Sequence, residues 1–295
     1  MDPSVITRRI DLYEKLMRLD KPIGILLLLW PTLWALWLAD RGVPDWTVLW
    51  VFVLGTVLMR SAGCVINDYA DRDFDPHVAR TKERPLAAKR ISTTEALILS
   101  AVLALIAFAL VLKLNRLTIL LSFGALFVAV SYPFTKRFLA LPQAYLGIAF
   151  SFGIPMAYAA QLSAVPLTAW VLVSANIFWT VAYDTEYAMV DRVDDQRIGI
   201  RTAAILFGRF DVSAVMLCHA VFLSILAALG WYLRLLWPYY VGLVTAAVLV
   251  VQQYRMIRDR KPDRCFHAFL DNNWVGAVIF AGIVFALLLE HGGLK

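Results

Sequence analysis

The chain is 295 residues long, 61% hydrophobic and only 17% charged, against roughly 45–50% apolar and about 25% charged residues in a soluble domain. Its formal net charge is +6, but the basic residues fall in loops between long apolar runs, so membrane topology accounts for them and no nucleic-acid partner is expected. Cys64, Cys218 and Cys265 are widely spaced with no CxxC pair, which excludes a disulfide framework and a structural zinc site.

Residues 1–21 precede the first apolar run, and no small-residue cleavage site follows that run, so no removable signal peptide is expected. Within this stretch Ile6, Ile10, Tyr13 and Met17 recur at helical spacing among Arg8, Arg9, Lys15 and Arg18. That pattern predicts an amphipathic helix lying in the cytoplasmic interface. A spanning helix needs about 20 mostly apolar residues. Nine stretches qualify, at roughly 22–39, 46–66, 94–113, 116–133, 141–160, 166–184, 210–232, 236–254 and 273–290. The predicted fold is therefore all-α: a polytopic membrane protein with nine transmembrane helices, in which residues 1–295 form a single membrane-embedded domain. Trp30, Trp34, Trp37, Trp46 and Trp50 cluster at the outer end of the first hairpin and read as an interfacial aromatic belt.

Loop charge alternates along the chain. One side carries Arg8, Arg9 and Arg18, then Arg80, Lys82, Arg84, Lys136, Arg137, Arg192, Arg201 and Arg258. The other side carries little beyond Arg41, Lys113, Arg116, Arg234 and Lys295. The positive-inside rule places the first side and the N-terminus in the cytoplasm, and the C-terminus in the periplasm.

Acidic residues gather at the cytoplasmic ends of the second and sixth spans. The second span runs into Asn67-Asp68-Tyr69-Ala70-Asp71-Arg72-Asp73-Phe74-Asp75, stopped by Pro76. At about 100° per residue, Asp68, Asp71 and Asp75 fall within about 60° of one another on a helix. The sixth span ends in YDTEYAMVDRVDD (183–195), where Asp184, Asp191 and Asp195 lie within about 40° on the same geometry. Clustered carboxylates repel each other when ionised, and a divalent cation relieves the repulsion. Oxygen-only ligands indicate a hard ion such as Mg²⁺, which typically shares carboxylates with substrate phosphates. Lys136 and Arg137, in a short loop after the fourth span, are candidates to pair with diphosphate oxygens; Arg80, Lys82, Arg84 and Arg201 lie near the acids. Arg60 lies inside the second span on the face of Asn67 and Asp71, where it either holds an anionic substrate group or pairs with an acid. There is no spaced histidine pair, no Ser-His-Asp arrangement and no glycine-rich phosphate loop.

NDYADRDFD (67–75) resembles the NDxxDxxxD motif of the UbiA superfamily of membrane prenyltransferases. DRVDD (191–195) resembles its DxxxD, and Tyr132 with Lys136 its YxxxK. The strings RLDKPIGILLLLWPTLWALWLA (18–39), YDTEYAMVDRVDD (183–195) and IGIRTAAILFG (198–208) are similar to the branch of the superfamily that acts on hydroxybenzoate. Val193 departs mildly, standing where related enzymes often carry an acid. The resemblance implies helices around a central cavity whose active site faces the cytoplasm and which opens to lipid, in the inner membrane of a bacterium. It implies polyprenyl diphosphate and 4-hydroxybenzoate as substrates, prenyl transfer to the ring carbon ortho to the hydroxyl, and Mg²⁺ as cofactor. On this basis Asp71, Asp75, Asp191 and Asp195 are expected to hold Mg²⁺, directly or through diphosphate and water. Lys136 and Arg137 are expected to assist catalysis, and Asn67, Asp68, Arg60, Tyr132, Asp184 and Arg201 to bind substrate. Residues 76–92 are the expected lid. The rivals are another aromatic acceptor, a CDP-alcohol phosphotransferase and a cation transporter. The second lacks its DGxxAR pattern here, and the third places its ion site near mid-membrane rather than at span ends.

Overall fold

A computed structural model describes residues 3–292 of the protein; the expected periplasmic C-terminal residue Lys295 and the side chain of Ile6 lie outside what is described. The described residues are helical with no strand. In chain order the helices are α1 (Pro3–Met17), α2 (Ile23–Asp40), α3 (Trp46–Ala70), α4 (Thr93–Val111), α5 (Arg116–Thr135), α6 (Pro142–Ser151), α7 (Gly153–Leu162), α8 (Leu167–Ile198), α9 (Ala203–Phe207), α10 (Asp211–Tyr232), α11 (Trp237–Ile257) and α12 (Pro262–His291). Side-chain caps start several of them: Asp45 accepts from the N–H of Thr47 and Val48, Ser92 from Glu95, and Asn115 from Thr118.

Eight helical segments among the described residues are long and apolar enough to cross a membrane, against the nine expected. The one that falls short is α8, whose 32 residues would span about 48 Å at about 1.5 Å per residue. It is long enough but too polar, because Asn176, Thr180, Thr185 and Glu186 are buried along it. Those groups face protein, since α8 packs against α6, α10 and α12. The outward surface of the bundle is apolar, with Leu105, Phe127, Leu217 and Val244 all exposed, the reverse of a water-soluble protein.

The expected fifth span is broken into α6 and α7 at Phe152. A Cβ on the following Gly153 would lie 2.2 Å from Thr32 Oγ1, so only glycine lets α7 approach α2 there. α1 is helical as expected and uses part of the expected stripe. It buries Leu12 and Leu16 against Val65, Leu86, Ile91 and Ala96, with Tyr13 and Met17 partly buried against the same cluster, while Ile10 is exposed. Its docking surface is therefore the protein, through a face that overlaps the one the spacing picked out. The tryptophans also divide. Trp46 and Trp50 are exposed, as a belt requires, but Trp34 is fully buried. Trp34 packs on Trp179 at 5.2 Å between ring centroids, and Trp179 stacks on Phe222 at 5.4 Å with the planes 7° apart.

α11 and α12 cross where Gly242 faces Gly282. A Cβ on Gly242 would stand 2.7 Å from the carbonyl oxygen of Val278, a backbone atom that cannot swing aside. Small residues at such crossings let transmembrane helices pack closely. Gly242→Leu is expected to destabilise the protein by about 1–3 kcal/mol through overpacking, read as a lowered Tm of the detergent-solubilised protein; an unchanged Tm would mean that the crossing is loose.

Candidate active site

A cavity of about 1120 Å³ is lined by residues of α2–α8, the N-terminal turns of α12, Lys15 of α1 and the cytoplasmic connections. At its polar end stand Asn67, Asp71 and Asp75 from one side and Asp184, Asp191 and Asp195 from the other. Its other end is apolar, with Phe108, Phe123, Phe150 and Met156 in the wall. Leu105, Phe123 and Leu126 line the cavity and are also 67%, 55% and 41% exposed. The apolar end therefore opens sideways between α4 and α5, onto the surface that hydrocarbon covers.

The first acidic cluster does not continue one helix, as its spacing suggested. α3 ends at Ala70, Asp71 caps it by donating its N–H to Asn67 O, and Asp75 begins a 3₁₀ turn before Pro76. The turn sends the three carboxylates to different partners. Asp71 accepts from Lys136 Nζ at 2.8 Å and from Asn67 Nδ2 at 3.2 Å, while Lys136 also donates to Asn67 Oδ1 at 3.2 Å. Asp75 accepts from Arg84 Nη1 at 2.8 Å. Asp68 does not line the cavity: it is almost fully buried between Arg18 Nη2 at 2.5 Å and Arg84 Nη1 at 3.2 Å. Burial, together with the charges of Asp68 and Asp71, pushes the Asp75 carboxyl above the usual range, and Arg84 opposes the shift.

The second cluster sits on the last turns of α8 and receives the connection after Asp75. Arg80 forks onto Asp191, with Nε 3.0 Å from Oδ1 and Nη2 closer still to Oδ2. The guanidinium also lies 4.6 Å from the centre of the Tyr187 ring. The N–H of Ala79 donates to Asp194 Oδ2 at 3.3 Å. Asp184 and Asp195 make no ion pair among the described residues. Residues 76–92 thus form a strap tied to α3 through Arg84 and to α8 through Arg80.

The remaining candidates separate. Tyr132 lies one helical turn before Lys136, with the lysine nitrogen 5.9 Å from its ring centre, and both line the cavity. Arg60 lines it too, packed against Gly24, where a Cβ would meet its Nη2 at 2.4 Å, and 5.7 Å from the Phe150 ring centre. It makes no ion pair among the described residues, so of the two sequence-based readings the structure does not show the pairing with an acid. Arg201 lines the cavity and donates to Phe138 O. Arg137 does not: it donates to Ala70 O at 2.7 Å, closing the end of α3, and packs on Phe74 and Phe134. Sequence reasoning missed Arg18 and Gln143. Arg18 belongs by sequence to the basic cytoplasmic loops, yet in the structure it holds Asp68. Gln143 lines the cavity beside Asp184 and accepts from the N–H of Ala203 at 2.9 Å; nothing in its sequence neighbourhood distinguishes it.

The acids and Asn67 at the polar end offer carboxylate and amide oxygens, which suits a hard divalent cation. Yet among the described residues no three His, Cys, Asp or Glu side chains converge closely enough to hold a metal by themselves. Asp71, Asp75 and Asp191 are each held by a basic side chain instead.

Residues 28–288 match the UbiA prenyltransferase family. The chain is 67% identical to a 4-hydroxybenzoate octaprenyltransferase of Nitrosospira multiformis, over 97% of this chain and 98% of that one. It is 63% identical to another of the same name from Dechloromonas aromatica, over the whole of both. Among solved structures, the apo UbiA homolog of Aeropyrum pernix matches at a TM-score of 0.78 and 27% identity, covering 89% of this chain and 97% of that one. A UbiA homolog of Archaeoglobus fulgidus, bound to GPP and Mg²⁺, shares the fold at a TM-score of 0.67 and 18% identity, covering 92% and 99%. Matched along nearly its whole length, with acids from two helices facing one cavity, the chain belongs to the UbiA prenyltransferase family.

Proposed function

We propose that the protein transfers a polyprenyl group from polyprenyl diphosphate to the ring carbon ortho to the hydroxyl of 4-hydroxybenzoate, releasing diphosphate, as a step of ubiquinone biosynthesis in a bacterial inner membrane. The observation that carries this reading is one cavity with two unlike ends: acids and bases suited to a metal diphosphate at one, an apolar wall open to lipid at the other. The curated relatives' names support the choice of acceptor. The basic loops support an active site on the cytoplasmic side.

A divalent cation, which we take to be Mg²⁺, would be held by Asp71, Asp75, Asp191 and Asp195 together with substrate oxygens and would stabilise charge on the departing diphosphate. The chain's own residues do the rest. Lys136, Arg80 and Arg84 carry N–H donors at the polar end and can turn them onto diphosphate oxygens. That charge stabilisation lets the allylic C–O bond break. The allylic carbon then bonds to the ring, and the ring proton leaves to restore aromaticity. Phe108, Phe123 and Phe150 keep water from the cationic carbon, which water would quench to an alcohol. Arg60, at membrane depth in the cavity wall and in no ion pair among the described residues, is suited to the carboxylate of the acceptor.

Purified protein in detergent is expected to transfer prenyl groups to radiolabelled 4-hydroxybenzoate with Mg²⁺ and not with EDTA. Asp71→Asn and Asp191→Asn should each lower turnover by about 10²–10³-fold, the scale of losing one electrostatic stabiliser, in protein that still elutes as a folded species. Full activity in both variants would sink the metal-site reading. Arg60→Met should raise KM for 4-hydroxybenzoate by about tenfold or more and leave KM for the prenyl diphosphate alone. The same effect on an acceptor without a carboxylate would remove Arg60 from acceptor binding.

A further inference from the structure

Arg80 is held twice. Its fork takes both oxygens of Asp191, and its guanidinium plane rests by the Tyr187 ring, one helical turn away on α8. The strap behind it is fixed by the Ala79 N–H on Asp194 and by Arg84 on Asp75 and Asp68. The Arg80–Asp191 pair is largely shielded, the aspartate side chain being 13% exposed and the arginine 32%. A fork on both oxygens occupies two of the carboxylate's about four lone-pair sites and sets a positive charge where a cation would approach. A metal reaching Asp191 therefore has to displace Arg80 or bind against its charge, and a partly shielded guanidinium stripped of its anion is costly. A diphosphate removes that cost by offering Arg80 a replacement anion within the same cavity. The Tyr187 contact needs no carboxylate, so the arginine keeps a perch on α8 during the exchange.

We propose that Arg80 is an internal counter-ion that suppresses metal binding at Asp191 until a diphosphate arrives, so that metal and prenyl diphosphate load together. This deepens the metal–diphosphate reading above and rests on it. By linkage, the factor by which the diphosphate tightens metal binding equals the factor by which metal tightens diphosphate binding. Removing the arginine should shrink that factor from both sides: the metal binds better alone, and the diphosphate binds worse.

The test is Mn²⁺ binding to purified full-length protein, followed by the electron paramagnetic resonance signal of the free ion, with and without geranyl S-thiolodiphosphate, a slowly reacting donor analogue. In the wild type the analogue should tighten Mn²⁺ binding by about tenfold or more, and in Arg80→Gln Mn²⁺ alone should bind about tenfold more tightly than to the wild type, with a smaller response to the analogue. Arg80→Lys keeps the charge but loses the fork and should show a smaller rise in metal affinity; it carries the test if the glutamine variant does not fold. Unchanged or weaker Mn²⁺ affinity in the folded variants without analogue would overturn the counter-ion role. Absence of Mn²⁺ binding from the wild type even with analogue is a different result, which brings down the metal–diphosphate reading and this inference with it.

Discussion

Asp68 is buried between two arginines, Arg18 from the end of α1 and Arg84 from the strap. A carboxyl group in so dry a place needs cations and hydrogen bonds around it. Meeting that demand organises the cytoplasmic end of the molecule. It fixes where α1 stops, because Arg18 reaches Asp68 from a left-handed backbone position with φ of 55°. It also fixes where the strap lies, because Arg84 bridges Asp68 and Asp75. With Arg84 in place, Arg80 falls on the far side of the cavity against Asp191. Asp68 thus does its work outside the cavity, by setting the positions of the cations inside it.

The opposite side of α8 is held by a buried hydrogen-bonded chain of an indole, an amide and the Glu186 carboxyl. Trp179 Nε1 donates to Asn272 Oδ1 at 2.8 Å, and Asn272 Nδ2 donates to Glu186 Oε2 at 2.8 Å, all buried between α8 and α12. Trp34 Nε1 donates to Gly276 O at 3.1 Å on the same helix. Hydrogen bonds of this kind specify rotation and register more sharply than apolar packing does, since a slip would strand buried donors. With α8 pinned in rotation, its other face presents Asp184, Asp191 and Asp195 to the cavity.

Much of this was legible in the sequence, for a definite reason. Hydrocarbon tolerates few polar residues, so the spans stood out by length and the acids stood out against them. Both clusters were assigned to one end of the bundle, and the cavity receives residues from each. The departures occur where protein rather than lipid surrounds a span. α8 is too polar for a composition rule because its neighbours satisfy its polar groups, and Trp34 left the belt for the core because Trp179 and Phe222 offered it a stack. The helical phase at Asp68, Asp71 and Asp75 failed because the chain turns at Asp71, before Pro76. Arg18 reads in sequence as one more basic loop residue and Gln143 gives no signal, since their importance is a matter of which residues the fold brings beside them.

The sideways opening between α4 and α5 changes what concentration means for this protein. A substrate that enters through Leu105, Phe123 and Leu126 comes from a two-dimensional solution. Its encounter rate follows its mole fraction in the bilayer and not its amount per litre of buffer. Diluting it with inert lipid slows the reaction, while adding buffer does not. A prenylated product leaving by the same mouth is already dissolved in the phase where the next membrane enzyme would meet it, so no carrier through water is required.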